Sequence, residues 1–431
     1  MLGSSLLAAV LCALPACAGP GAPSRTVPDG GRLAEDLRGD YLRALEEAAA
    51  GDGRAADRAL EPLLPLRPVH VPSHLLHQDL ARAAGEGGTL REGYAALAAE
   101  PGSGANAEVL RVRAAGGSAE ERIAGYQAAA AQEPAAPWPH IALAAARAEL
   151  ARELVRRAEV RARDGFAAEA EQLRADARAS AERACTEGER AAAVAPDLAP
   201  AHAALGHARA VAATVAAGSQ GERKDLRAKA LDSLGRALAL DPGDARVLLD
   251  RAAVHRDTER WEEAQADLDA AARYAPRDPG ILSARARNLE SRGGKAEAAD
   301  AWRAAAAAAP RDPDILLDCG SALARAGRWD EALAVYRRAD AAYAAAAGPR
   351  WRARRGLVTA LTQRGLDEGD RALLDEALAQ LGSYRAEGGL DEAWAAMMEE
   401  LLAGDKEAKG AKEAAPTDPP PPPSPPNPPS R

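Results

Sequence analysis

Aromatic residues make up only 3% of this chain, with a single phenylalanine among 431 residues. Strand-built cores are filled with aromatic and β-branched side chains, so this scarcity argues against a sandwich or barrel. Cysteine is also sparse at four residues, and none is spaced as a paired CxxC metal or redox motif. Basic charge is not in excess: the net charge is −9, with Arg and Glu interleaved, which speaks against a nucleic-acid-binding face. No Gly-rich Lys-Ser/Thr loop, nucleophile elbow or HExxH sequence occurs. Hydrophobic content is nonetheless 47%, much of it alanine. Alanine is the best helix former and a poor core filler, so many thin, closely packed helices are expected.

Long apolar runs are missing as well. Leu6 to Leu14 is apolar but too short to span a bilayer as a helix. It leads into Leu14-Pro15-Ala16-Cys17, which resembles the bacterial lipobox, a small residue followed by a cysteine that is lipidated and becomes the new N-terminus. Cys12 competes, but Leu11 before it is too large for the cleavage position. Met1 to Ser5 carries no Lys or Arg, a departure from the usual basic start of such signals. The expectation is a signal peptide over 1–16, then a lipidated Cys17 and a Gly/Pro/Ser-rich tether over 17–32. Ala18 in place of Asp after the cysteine points to the periplasmic face of the outer membrane. At the other end, 404–431 is charged and then proline-rich (PTDPPPPPSPPNPPSR), which suits a polyproline II spacer.

Between these ends lies a fixed period. Pro242, Pro276 and Pro310 stand 34 residues apart, and Leu248, Leu282 and Leu316 follow each by six. Ala264, Ala298 and Ala332 come 22 residues after the prolines, and Ala271, Ala305 and Ala339 seven further on. Each unit holds two helical patterns split by a turn, with Gly293 and Gly327 at the turn in two of them. Asp278-Pro279 and Asp312-Pro313 supply a capping side chain and a proline at the first helical position. A period of this length marks stacked helical repeats, because each unit buries its apolar side only against its neighbours.

The pattern resembles the tetratricopeptide repeat. The second helix matches through Ala264/Leu268/Ala271/Pro276, Ala298/Trp302/Ala305/Pro310 and Ala332/Tyr336/Ala339. On the first helix Gly320 fits the small position, whereas Arg251 and Arg285 stand where the family has leucine, and Ala344 replaces the closing proline of the third unit. The resemblance implies an all-α fold, a right-handed α-α superhelix, with a groove along the first helices that holds a peptide. By register, groove residues would be Arg246, Leu249 and Arg256, then Ser283, Arg287 and Glu290, then Asp314, Leu317, Ser321 and Arg325. The family's carboxylate clamp positions hold Leu249, Ala253 and Ala284 here, so a chaperone-tail ligand is not expected.

Upstream the period stretches. The interval from Pro196 to Pro242 is 46 residues and from Pro134 to Pro196 is 62. Both additions fall between the two helices of a unit, so 134–242 is read as two elongated hairpins, the first breaking at Asp164-Gly165. On its long helix Glu149, Arg152, Glu153, Arg156 and Arg157 could pair three or four residues apart. Degenerate repeats are expected over 33–133, the three-repeat core over 243–343, and a degenerate repeat with a capping helix over 344–403. That last helix would pack through Leu390, Trp394, Met397 and Leu401.

Two further clusters stand out in the sequence. His70, His74 and His77 fall within eight residues, with Ser73 as a helix cap, and could serve a metal-dependent accessory activity. Arg350, Arg352, Arg354 and Arg355 could touch phosphate or lipid headgroups. The favoured reading needs neither. It is a non-catalytic scaffold or adaptor of the bacterial envelope, without metal or cofactor. Its membrane link is the lipid on Cys17 and its partner is a protein or peptide, not a nucleic acid or small molecule.

Overall fold

The computed structural model describes residues 35–66, 69–389 and 391–413. The lipobox, the tether and the proline-rich tail lie outside them. Among the described residues there are nineteen α-helices and no strand. The chain forms two compact units with the boundary between Gly294 and Lys295. The first contains α1 (Glu35–Ala50), α2 (Gly53–Leu60), α3 (Val71–Ala83), α4 (Gly87–Ala99), α5 (Gly104–Ala115), α6 (Ala119–Gln132), α7 (Pro137–Arg163), α8 (Ala167–Val194), α9 (Ala199–Val215), α10 (Gln220–Leu240), α11 (Ala245–Arg256), α12 (Trp261–Tyr274) and α13 (Pro279–Ser291). The second contains α14 (Lys295–Ala308), α15 (Pro313–Arg325), α16 (Trp329–Ala345), α17 (Trp351–Glu368), α18 (Arg371–Ala386) and α19 (Glu392–Glu413).

Each unit stacks helix pairs in sequence order. In the first, α7 packs on α8, α9 on α10 and α11 on α12, and each pair packs on the next. Consecutive odd-numbered helices from α3 to α13 also touch one another, so within this unit they form one continuous layer. In the second, α15 packs on α16 and α17 on α18, with α15 touching α17. This is the all-α helix-pair solenoid architecture expected from the period.

The repeated residues do the same job in each copy. Asp244, Asp278 and Asp312 each accept two backbone N–H bonds at the start of α11, α13 and α15, which satisfies donors that a helix start leaves unpaired. Ala264, Ala271, Ala305, Ala332 and Ala339 are fully buried. Gly206 and Gly320 allow close approach: a Cβ on either would sit 2.6 Å from Leu234 or 2.7 Å from the Tyr336 ring. In the two stretched units histidine takes the place of the leucine six residues after the proline. His140 Nε2 donates to Pro134 O at 3.1 Å, and His202 Nε2 donates to Pro196 O at 2.8 Å.

The departures from the family pattern are also explained. Arg251 makes a two-pronged bond to the buried Asp267 of α12, Nε to Oδ2 at 2.8 Å and a terminal nitrogen to Oδ1 at 2.5 Å. A charged pair thus joins the two helices where leucine would pack. Arg285 reaches Asp269 at 3.5 Å. With Ala344 in place of the closing proline, α16 runs on to Ala345 and is 17 residues long, against 14 for α12 and α14.

The stretched hairpin consists of α7 with 27 residues and α8 with 28, turning at Asp164 and Gly165. An alanine seam, including Ala151, Ala158, Ala170 and Ala177, is buried between them. The side-chain pairs anticipated on α7 do not form as such: Glu149 instead meets Arg122 of α6 at 2.9 Å. The capping helix is rotated from its expected face. Ala395, Met398 and Leu402 are buried on α19, whereas Met397 and Leu401 are exposed. Trp394 stacks edge-on against Tyr384, 5.1 Å between ring centroids, and the Arg355 guanidinium lies 4.9 Å from its ring centroid. The indole therefore sits at the margin of the buried stripe, which runs one residue later. Leu390 lies outside the described residues.

Candidate functional site

The residues that register assigned to a groove fall on α11 and α13 in the first unit and on α15 in the second. Arg246 is half-buried on α11, its Nε 3.5 Å from Asp250 Oδ1. Asp250 is a local hub, since His207 Nδ1 of α9 also reaches its Oδ2 at 2.9 Å. Burial would raise the Asp250 carboxyl, but Arg246, His207 and Arg152 together outweigh it and hold the group below its usual range. Leu249 is half-buried and packs beside Ala252, Ala264 and Leu268. Arg256 ends α11, pairs with its neighbour Asp257 at 3.2 Å and faces a cavity. Arg287 is exposed on α13. Ser283, expected to face the groove, is buried, so the exposed face of α13 excludes it.

In the second unit Asp314 accepts from Tyr343 Oη and from Arg352, both at 2.6 Å. Leu317 and Ser321 line a cavity of 350 Å³ with Trp351, Arg352 and Arg355. Tyr336 Oη donates to Ser321 Oγ at 3.2 Å. Arg325 is exposed. The structure therefore places Arg246 and Arg256 along one helix of the first unit, and gathers Asp314 and Leu317 of the second around α17.

The histidine cluster does not converge. His70 Nδ1 is 2.7 Å from Ser73 Oγ, His74 Nδ1 is 3.0 Å from Tyr94 Oη, and His77 Nδ1 is 2.7 Å from Asp57 Oδ1. Helix α3 begins at Val71, with His70 at the cap position, so Ser73 is inside the first turn and does not cap it. Among the described residues no three His, Cys, Asp or Glu side chains come close enough to hold a metal ion. The basic run is internally neutralised. Arg350 pairs with Asp340 at 2.6 Å, Arg352 with Asp314 at 2.6 Å, Arg354 with Glu387 at 3.0 Å and Arg355 with Asp391 at 2.9 Å. Those contacts order α17 against its neighbours instead of presenting free cations. Cys319 is fully buried and Cys185 half-buried, and burial pushes both thiols up to about 11, which suits packing and not nucleophilic chemistry.

Sequence reasoning named Arg152 only as a member of a pairing face on α7, and it missed Arg227. Both line the cavity at Arg256. Arg152 lies in the added length of α7, outside the repeat register, and so gave no signal of a shared wall.

The sequence matches no protein-family model and no curated protein. Solved helical-repeat structures do resemble it. TTC0263, a thermophilic TPR protein of Thermus thermophilus, is 21% identical over 48% of this chain and 90% of its own, with a TM-score of 0.38. PilF of Pseudomonas aeruginosa is 18% identical over 58% of this chain and 99% of its own, with a TM-score of 0.37. The human IFIT1 dimer bound to m7Gppp-AAAA is 14% identical over 85% of this chain and 89% of its own, with a TM-score of 0.45. At these values the fold rests on the helix pairs described above, and no residue role is carried over from the three.

Proposed function

We propose that this protein is a non-catalytic scaffold that holds a protein or peptide partner against its layer of odd-numbered helices. The observation that supports this reading is the side-chain content of that layer. Arg246, Leu249, Arg256 and Arg287 put guanidinium groups and an aliphatic contact along α11 and α13, which suits a short acidic and apolar segment. The histidines that could have carried chemistry are each engaged with a different structural partner. Nucleic acid and small molecules are not part of this reading.

The scaffold is further proposed to work at the periplasmic face of the bacterial outer membrane, tethered by a lipid on Cys17. The support is Leu14-Pro15-Ala16-Cys17 after a short apolar stretch. Attachment through acyl chains needs more than one chain to be stable.

Crosslinking the full chain in its native envelope, followed by capture, tests the scaffold. Partners held by the wild type should be lost from the Arg256→Glu/Arg287→Glu double variant, and identical partners would contradict the assignment. Labelling with a fatty-acid analogue should mark the wild type and spare Cys17→Ala. Equal labelling would remove the tether from the account.

A further inference from the structure

A cavity of 190 Å³ opens among α7, α9, α10 and α11. Three arginines line it from three helices: Arg152 on α7, Arg227 on α10 and Arg256 at the end of α11. Its apolar wall includes Val211, Val215 and Val254. The lining contains one carboxylate, Asp257, and that group is taken by Arg256 at 3.2 Å. Arg152 and Arg227 make no ion pair within 4.0 Å with any described residue. Three guanidinium groups against one carboxylate leave positive charge in surplus in the lining, whose other walls are hydrocarbon apart from Thr214.

The elongation of the two hairpins builds this cavity. Helix α11 has 12 residues, whereas α9 has 17 and α7 has 27. Arg152 and Val215 both lie in that added length, and Arg227 comes from a second helix of its pair, not from the odd-numbered layer. The site is thus distinct from a groove made of first helices alone. Arg152 is solvent-exposed, and the carboxylate that acts on it most, Asp250, is shared with Arg246 and His207.

The shape selects the ligand. Small-molecule pockets commonly enclose roughly 300–1,000 Å³, so a 190 Å³ cavity suits one anchoring side chain or a chain end. A nucleic acid would need a continuous track of cations along its phosphates, and this is one cluster on a chain of net charge −9. Guanidinium forks match carboxylates in a two-pronged geometry, and the valines offer contact to a neighbouring aliphatic group. We propose that the cavity binds the carboxylate of an acidic peptide segment of a partner protein, an Asp or Glu flanked by an apolar residue. This deepens the scaffold reading and rests on it for the existence of a protein partner.

The test is a fluorescence-anisotropy titration of the full chain with three probes: a short peptide of Glu and Leu residues spaced by Ser, the same peptide with Gln for Glu, and a U-rich RNA oligonucleotide. The Glu peptide should bind, the Gln peptide should bind at least about tenfold more weakly, and Arg152→Gln/Arg227→Gln should weaken the Glu peptide by about tenfold or more. Arg236→Gln, exposed on α10 and outside the cavity, should leave it unchanged. Arg152→Lys/Arg227→Lys, which keeps the charge and loses the fork, should fall between wild type and the Gln variant. Circular dichroism melting of each variant establishes that the fold persists. Equal affinity for Glu and Gln peptides, an unaffected Gln double variant, or tighter binding of RNA than of the Glu peptide would overturn the proposal. If the titration fails while envelope capture still depends on Arg256 and Arg287, the scaffold reading stands and this site does not. If capture fails while the titration succeeds, the cavity stands and the wider groove does not.

Discussion

At the turn between α11 and α12, Glu259 holds a φ of +60°, and the residues 34 and 68 positions later, Gly293 and Gly327, hold +84° and +75°. A left-handed backbone costs an L-residue about 1–2 kcal/mol, and glycine is spared it. Part of that gain is offset by the extra freedom glycine has when unfolded. Glu259→Gly is expected to stabilise the protein by about 1 kcal/mol, read as a higher denaturant midpoint with unchanged slope. A lower midpoint would mean that Glu259 makes a contact the geometry does not reveal. A second residue sets a pH dependence. Burial, reinforced by the nearby Asp244, pushes the Asp241 carboxyl up to about 8. The folded chain then keeps a proton that the unfolded chain has released above about pH 4. Stability from this group therefore falls as pH rises from about 4 to about 8, by up to about 1.4 kcal/mol per pH unit. Asp241→Asn should flatten the decline and raise the melting temperature at the alkaline end. An unchanged pH profile would show that Asp241 is solvated.

Individual helices carry pairings that a single leucine would have supplied in the family pattern. Arg251 and Asp267 tie α11 to α12. Removing one partner leaves the other with an unmet charge in a largely buried place, so Arg251→Leu alone is expected to cost about 2–3 kcal/mol. Arg251→Leu/Asp267→Leu should recover most of that loss, because two apolar groups can pack where the ion pair stood. Equal destabilisation of the single and double variants would contradict this account. How much of each element was legible follows from its physics. The second helices were readable because Ala264, Ala298 and Ala332 must be small where two helices meet, and that demand recurs every 34 residues. The helix starts were readable because Asp278 and Asp312 cap in a fixed local geometry. The face of α19 was not, because Trp394 is large enough to sit at the edge of the stripe and still bury its ring on Tyr384, which shifts the buried set to Ala395, Met398 and Leu402. Likewise the shared wall of Arg152 and Arg227 could not be found from period or spacing. They converge only once α7, α9 and α10 are extended past the repeat, and their meeting depends on contacts between distant segments.

Within each of the two units every helix pair is held by the pairs beside it, so stability there is a sum of local and nearest-neighbour contributions. Opening should then be regional and not global. The cavity at Arg152 and Arg227 depends on this, since its walls come from α7, α9, α10 and α11 and persist only while those neighbours stay stacked. The most direct test is hydrogen exchange, followed by mass spectrometry, on the full chain carrying Gly320→Ala. The added Cβ would lie 2.7 Å from the Tyr336 ring, an overpacking that costs about 1–3 kcal/mol. Protection should fall in α15, α16 and the adjoining α17 and remain as in the wild type from α3 to α6. An equal loss of protection across α3 to α18 would show a single cooperative globule and contradict the repeat-array account.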